Sequence, residues 1–269
     1  MAAHRAMTCY STFIDARDLA ALEGEVADMV AFDAYLHDRL CDCSIEGLKA
    51  WEYGRLMAFL GDLGGLTVLD VGPGDSTFCL YLAHRGAQVT TIDYPQPMAP
   101  DKEGLRARCR SSGVATTCGT MLRLPFRDGA FDVVTCTSTI EHLDMTPAWE
   151  PIPYQAFIAA TREALAEMCR VVAEGGYLYL TTDAYIPERQ KTDGWPMGAV
   201  YPGIGAAYRL EDIEGLFVAT VEGAGLHLVG GHDYRPALLD DPQRANYRGR
   251  YFTTLCLLAQ RRGEADVYA

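Results

Sequence analysis

Val68-Leu69-Asp70-Val71-Gly72-Pro73-Gly74-Asp75-Ser76-Thr77 is the stretch that decides the fold. An apolar run ends at Asp70-Val71, turns through two glycines one residue apart, and leads into a helix candidate at 77–85. Glycine has no Cβ, so such a turn lets a ligand approach the main chain closely. The helix that follows aims its free N–H groups at whatever lies above the strand ends. In an open α/β sheet, ligands bind there. A plain tight turn between strand and helix has the same sequence, so the glycines alone do not decide. The next element does more. About twenty residues on, Val89-Thr90-Thr91-Ile92-Asp93 is a second strand ending in an acid, where a carboxylate can accept two hydrogen bonds from a ribose diol. The competing reading of Asp93 is a solvated strand-end acid or a helix cap. The two strands point to a nucleoside-containing cofactor, without choosing between a nicotinamide dinucleotide and S-adenosylmethionine.

Outward from this stretch, short apolar runs alternate with helical spacing, the pattern of βαβ units around a buried parallel sheet. Strands are predicted at 67–71, 88–92, 115–118, 131–137, 176–181, 226–230 and 252–259, and helices at 77–85, 102–111, 153–172 and 210–224. Upstream, residues 1–60 lack strand character. Apolar residues at helical spacing run from 18 to 40 with Asp33 breaking the stripe, and a second helix runs from 47 to 60 with Ser44 as its N-cap. The stretch 183–208 has no period and is rich in Gly, Pro and aromatics, including Trp195 and Tyr201. A loop of that length in a compact domain is usually functional or disordered, and here it reads as a substrate-facing insertion. The expected organisation is an N-terminal helical lid over residues 1–62 and a cofactor-binding domain over 63–262.

Composition sets the outer limits. The 269 residues are 49% hydrophobic and 22% charged, enough apolar material to offset chain entropy without a metal or disulfide staple. A net charge of −13 speaks against nucleic acid and against anionic membranes, both of which would repel the chain. No apolar stretch reaches the ~18–20 residues of a membrane span, and the N-terminus has no signal-peptide core. Nine cysteines in no framework spacing read as free thiols in a reducing cytoplasm. Cys41 and Cys43 form a C-x-C pair with His37 as the close further ligand, but buried small hydrophobes are the simpler reading, and no metal is expected.

Further residues carry a resemblance. The glycine turn, the acidic second strand, Leu124-Pro125-Phe126-Arg127-Asp128-Gly129-Ala130-Phe131-Asp132-Val133-Val134, Ile140-Glu141-His142-Leu143 and Cys169-Arg170-Val171-Val172-Ala173-Glu174-Gly175-Gly176 together resemble the class I S-adenosylmethionine-dependent methyltransferases. The resemblance implies an α/β, Rossmann-like seven-stranded, mostly parallel sheet with an antiparallel last hairpin. It implies that Asp70, Gly72 and Gly74 line the methionine end of the cofactor, with Ser76 standing where a third glycine is common. Asp93 would hold the ribose hydroxyls, Tyr94 would pack beside the adenine, and Met121 would offer it a backbone N–H. Thr120 stands where an acid often reaches the adenine amine. Thr137 and Ser138 would approach the sulfonium.

The sulfonium is already an activated electrophile, so placing the acceptor in line supplies most of the catalysis. An O- or N-acceptor gains from a base. His142 is the first candidate, because histidine titrates near neutral pH, with a structural histidine as the alternative. Glu141 reads as a binder of main-chain groups, and Asp183 and Tyr185 are further candidates on the substrate side. Trp51-Glu52-Tyr53 places an acid between aromatics just ahead of the core, with Glu52 expected near the sulfonium or amino group and Trp51 either at the cofactor or in the core. Tyr10 is a weaker closing residue. Methyl transfer to a small organic molecule, in a specialised biosynthetic pathway, leads. Behind it stand a non-methylating use of the same cofactor (cyclisation, or aminocarboxypropyl chemistry releasing methylthioadenosine), a nicotinamide oxidoreductase and a non-catalytic binding module. The acceptor and the oligomeric state are not readable, since a fold does not name a substrate.

Overall fold

A computed structural model describes residues 11–13, 22–37, 48–74, 76–94, 109–143, 152–185, 199–200, 208–209, 212–234, 246–247 and 250–263. In chain order the main elements are β1 (Ser11–Phe13), α1 (Glu23–His37), α2 (Leu48–Leu60), β2 (Thr67–Val71), α3 (Phe78–His84), β3 (Gln88–Asp93), β4 (Ala115–Cys118), β5 (Phe131–Thr137), α4 (Tyr154–Val171), β6 (Val172–Tyr185), α5 (Ala219–Gly223), β7 (Leu226–Leu228) and β8 (Arg250–Arg261). The strands form one sheet in the order β4-β3-β2-β5-β6-β8, with β7 on the outer side of β8. Neighbours from β4 to β6 are parallel. β8 runs antiparallel to both β6 and β7. This is the Rossmann-like mostly parallel sheet with an antiparallel last pair. Between β2 and β5 the strand order reverses, and in open α/β sheets ligands bind in the crevice above the carboxyl ends at such a point.

Both faces of the sheet are buried, and the period-2 alternation of side chains explains how. On one face Leu69, Val134, Leu178, Leu180, Leu255 and Leu257 share a core with α4. On the other, Val68, Val133, Tyr179, Cys256 and Leu258 pack with residues of α1, α2 and α3. Successive residues of one strand thus serve opposite layers.

Several expectations are corrected or refined. The N-terminal segment does contain a strand: β1 pairs antiparallel with β8, and Ser11 Oγ donates to the Leu258 carbonyl at 3.3 Å while accepting from its N–H at 3.0 Å. Three residues on a borrowed ladder have no period of their own to read. Asp33 interrupts the apolar stripe of α1 and yet lies on its buried side. It is 4% exposed and accepts a 2.6 Å hydrogen bond from the Thr77 hydroxyl, so it ties α1 to the start of α3. The helix expected over 210–224 opens as a π turn at Ile213–Val218 before α5. Leu216, Phe217 and Val218 are consecutive and all buried, which the wider winding of a π turn permits more readily than an α-helix. Also, β6 is longer than the predicted 176–181. Ser44, Cys41, Cys43, Tyr10, Trp195 and Tyr201, with most of 102–111 and 183–208, lie outside the described residues. The described cysteines are free, and among the described residues no group of side chains has the makings of a metal site and no helix is long and apolar enough to cross a membrane.

Candidate functional site

The crevice floor is made by the ends of β2, β3, β5 and β6. Asp70 is buried, and its Oδ1 accepts from the Thr135 hydroxyl at 3.1 Å. Burial raises its carboxyl to about 6 against the opposing pull of Thr135 and Lys49. After β2 the chain turns through Gly72 at φ +68°. A Cβ there would fall 2.1 Å from Thr139 Cγ2, so glycine is required both by the dihedral and by the neighbour. The Thr139 hydroxyl donates to the Gly72 carbonyl at 2.7 Å, binding the β2 turn to the segment after β5. Gly74, at φ +58°, faces open space: a Cβ there would meet nothing within 4 Å. Ser76 Oγ accepts from the Phe78 N–H at 3.2 Å and from the Tyr53 hydroxyl at 2.8 Å. Asp93 closes β3, with Oδ1 accepting from the Tyr94 N–H at 2.8 Å, and Tyr94 is exposed. Thr120 Oγ1 accepts from the Leu122 N–H at 3.2 Å, shaping the turn in which Met121 packs against the core.

Helix α2 forms the wall. Lys49, Glu52 and Tyr53 share one face by their i, i+3, i+4 spacing. Glu52 is wholly buried, yet its Oε1 accepts from the hydroxyls of Thr181 at 2.9 Å and of Ser138, while its backbone carbonyl accepts from the Tyr179 hydroxyl. Lys49 Nζ lies 2.8 Å from Glu52 Oε2 and 3.5 Å from the Thr137 carbonyl. Burial works against the Lys49 charge, but Glu52 and Tyr53 outweigh it and its pKa is raised. Ser138 has φ +46°, the strained left-handed region for a residue with a Cβ. Its N–H donates to the Thr181 carbonyl at 3.0 Å and its hydroxyl to Glu52, which hold that geometry. Tyr53 stacks on Phe78 with ring centroids 4.0 Å apart. Trp51 is different: it is 0% exposed, in the core, with the Arg55 guanidinium 5.1 Å from its ring. It offers no surface to a cofactor, so of its two readings the core anchor is the one the geometry fits. Glu52 likewise meets the crevice through Lys49 and Ser138 rather than by its own surface.

The proton-carrying candidates sit just after β5 and at the end of β6. Glu141 is buried, and its Oε2 accepts from the Thr182 hydroxyl at 2.9 Å rather than from main chain alone. Burial and the nearby Asp183 push its pKa well up. Asp183 is partly buried at the end of β6, its pKa raised to about 6 by burial and Glu52 against the pull of Lys49. The His142 ring is exposed, yet the surrounding protein, and then Lys49, lower its pKa. It is therefore neutral at neutral pH. Tyr185 ends β6, paired with Phe252, and its side chain is outside the described set. Sequence reading passed over Lys49, Thr139 and Thr181. Only the Lys49-x-x-Glu52 spacing carried a local signal; the other partners come from distant strands.

Comparison with known proteins fits this geometry. Residues 69–180 match the family model described as a methyltransferase domain. Over that stretch the chain is similar to the class I S-adenosylmethionine-dependent methyltransferases, and S-adenosylmethionine is the cofactor of that class. The residues fit it: a carboxylate ends β3 one strand away from a turn that is open above Gly74. The chain is 27% identical to a demethylmenaquinone methyltransferase of Thermobifida fusca over 71% of this chain and 72% of that protein. It is 33% identical to a ubiquinone biosynthesis O-methyltransferase of Marinobacter nauticus over 45% of each chain. In fold it is similar to the [4+2]-cyclase SpnF (TM-score 0.50, 19% identity, 90% of this chain and 93% of that one). It is also similar to YcgJ of Bacillus subtilis (TM-score 0.52, 16% identity, 79% and 98%).

Proposed function

We propose that the chain transfers a methyl group from S-adenosylmethionine to a small organic molecule in a biosynthetic pathway. The observation that carries the reading is the crevice over β2, β3 and β5, where Asp93 stands beside the open turn at Gly74 and Ser138 is held in a strained conformation by Glu52. When bound, the cofactor supplies the activated methyl. The chain's own residues then divide as follows. Asp93 accepts from the ribose hydroxyls, Asp70, Gly72, Gly74 and Ser76 border the amino-acid end, and Tyr94, Thr120 and Met121 border the base. Thr137 and Ser138 position the reacting region. Residues 1–62 cap the crevice through α2, and the insertion at 183–208 meets the acceptor. His142, neutral at physiological pH, and Asp183 are the groups able to take a proton. The relatives named for quinone pathways support a small cyclic acceptor but do not identify it.

Calorimetry with S-adenosylhomocysteine tests the reading. The wild type should bind, and Asp93→Ala should bind about 10- to 100-fold more weakly, the loss of a charge-assisted pair of hydrogen bonds. No heat with the wild type would end the proposal. A second reading keeps the fold and cofactor and changes the reaction; the cyclase among the fold relatives is the reason to keep it. Mass spectrometry separates them, since methyl transfer releases S-adenosylhomocysteine, aminocarboxypropyl chemistry releases methylthioadenosine, and a [4+2] cyclisation leaves the cofactor unchanged.

A further inference from the structure

The geometry points to Lys49 and Asp183 as an ionising pair for the acceptor: Asp183 takes a hydroxyl proton and the Lys49 ammonium holds the oxyanion left behind. The acceptor is then a hydroxyl of phenol or enol type. This rests on the methyl-transfer reading and deepens it.

Three observations carry it. Lys49 is anchored but not consumed. Among the described residues its ammonium meets Glu52 at 2.8 Å and the Thr137 carbonyl at 3.5 Å, while 37% of the side chain stays exposed. An ammonium has three donors, so one remains for a ligand. Its position is on the β5–β6 side. The Thr137 carbonyl it touches is the last of β5, and Glu141 and His142, just after β5, and Asp183, near the end of β6, lie in its field or in that of one another. Finally, Asp183 lies one pleat beyond Thr181 on the same face of β6, and Thr181 touches Glu52. The carboxylate and the ammonium therefore border the crevice from adjoining walls.

The charges are arranged for this step. Glu52 neutralises Lys49, so the ammonium does not stand bare beside a sulfonium. The groups facing Lys49 are Glu52 and Tyr53 on α2, Asp70 on β2, Cys136 on β5, Glu141 and His142 on the following turn and Asp183 on β6. In the step, the acceptor O–H bond breaks, the proton goes to the Asp183 carboxylate, and the electron pair stays on oxygen beside Lys49. A hydroxyl of alkyl type is too weak an acid for such a pair, whereas one ionising within a few units of neutrality is within reach.

The probe is 4-nitrophenol, whose phenolate absorbs visibly, added to protein saturated with S-adenosylhomocysteine. In the wild type the bound phenol should ionise at least one pH unit below its value in water. Lys49→Met should abolish that shift and Lys49→Arg should keep most of it, whereas Asp183→Asn, which removes a neighbouring negative charge, should leave the phenolate band in place but slow methyl transfer to a phenol severalfold. Calorimetry on each variant shows that the cofactor site is folded. If S-adenosylhomocysteine binds the wild type but the phenolate band does not shift, or shifts equally in Lys49→Met, this inference falls and the methyl-transfer reading stands. If Lys49→Met loses S-adenosylhomocysteine affinity while methylthioadenosine affinity holds, Lys49 serves the cofactor's carboxylate and the inference is overturned. If the wild type binds neither nucleoside, both fall together.

Discussion

Asp183 shows at the scale of one residue how a site is kept ready at a cost in stability. Its carboxyl rises from 3.8 to about 6, first through burial and then through Glu52, with Lys49 pulling the other way. A carboxyl raised in the folded state holds its proton more tightly folded than unfolded. The associated stability is therefore fully present below pH 3.8 and is lost as pH climbs through about 6. At pH 7 the folded protein carries a charge it would rather not have there. Asp183→Asn should consequently be more stable than the wild type at pH 7, and the gain should close as pH falls toward 4. Urea midpoints of both proteins across that range give the answer. A variant that is less stable at pH 7 would mean that Lys49 more than repays the burial of Asp183. Asp70 is raised by the same first cause, but it is present in both proteins and drops out of the comparison.

Among elements, the string Leu124-Pro125-Phe126-Arg127-Asp128 is a loop held by one side chain of α4. Arg170 donates to the carbonyls of Phe126 at 2.8 Å and Leu124 at 3.0 Å and pairs with Asp128 and Glu167, each at 2.7 Å. Glu167 in turn accepts from the Leu124 N–H at 2.8 Å. The planar guanidinium fork fits these separate acceptors, which an ammonium cannot do at once. Arg170→Ala should cost about 1–3 kcal/mol and several degrees in Tm, read by calorimetric unfolding. Arg170→Lys should recover little, and full recovery would show that charge alone holds the loop. This network was legible only as a resemblance, since nothing in the string itself says that Arg170 closes it. The inner strands were legible from their own residues, because β2, β5 and β6 are apolar on both faces and bounded by turn residues. β1 was not: Ser11 finds its partner Leu258 across a separation of 247 positions. The site divides in the same way. Asp70, Gly72 and Asp93 sit at strand ends that local pattern reveals, whereas the junction of Glu52 with Ser138 and Thr181 exists only once α2 packs on the sheet.

For the molecule as a whole, that last junction bears on where the domain begins. A division at residue 62 places α1 and α2 outside the cofactor-binding unit. Yet Leu22, Met29, Trp51, Leu56 and Met57 share one core with Val68, Phe78, Val89, Val133 and Leu258 from the sheet and α3. Removing the two helices would bare the apolar face of β2 and β3, strip Thr77 of Asp33, and leave Ser138 and Ser76 without Glu52 and Tyr53. Each fully buried large apolar side chain is worth about 1.5–3 kcal/mol, and a whole domain keeps only about 5–15 kcal/mol in reserve. Losing five such residues is comparable to that whole reserve. A chain starting at residue 63 should therefore fail to unfold cooperatively in urea and should not bind S-adenosylhomocysteine. Coincident near-ultraviolet dichroism and fluorescence transitions in the shortened chain would show instead that the sheet and its remaining helices fold alone, and that the N-terminal helices are a detachable cap.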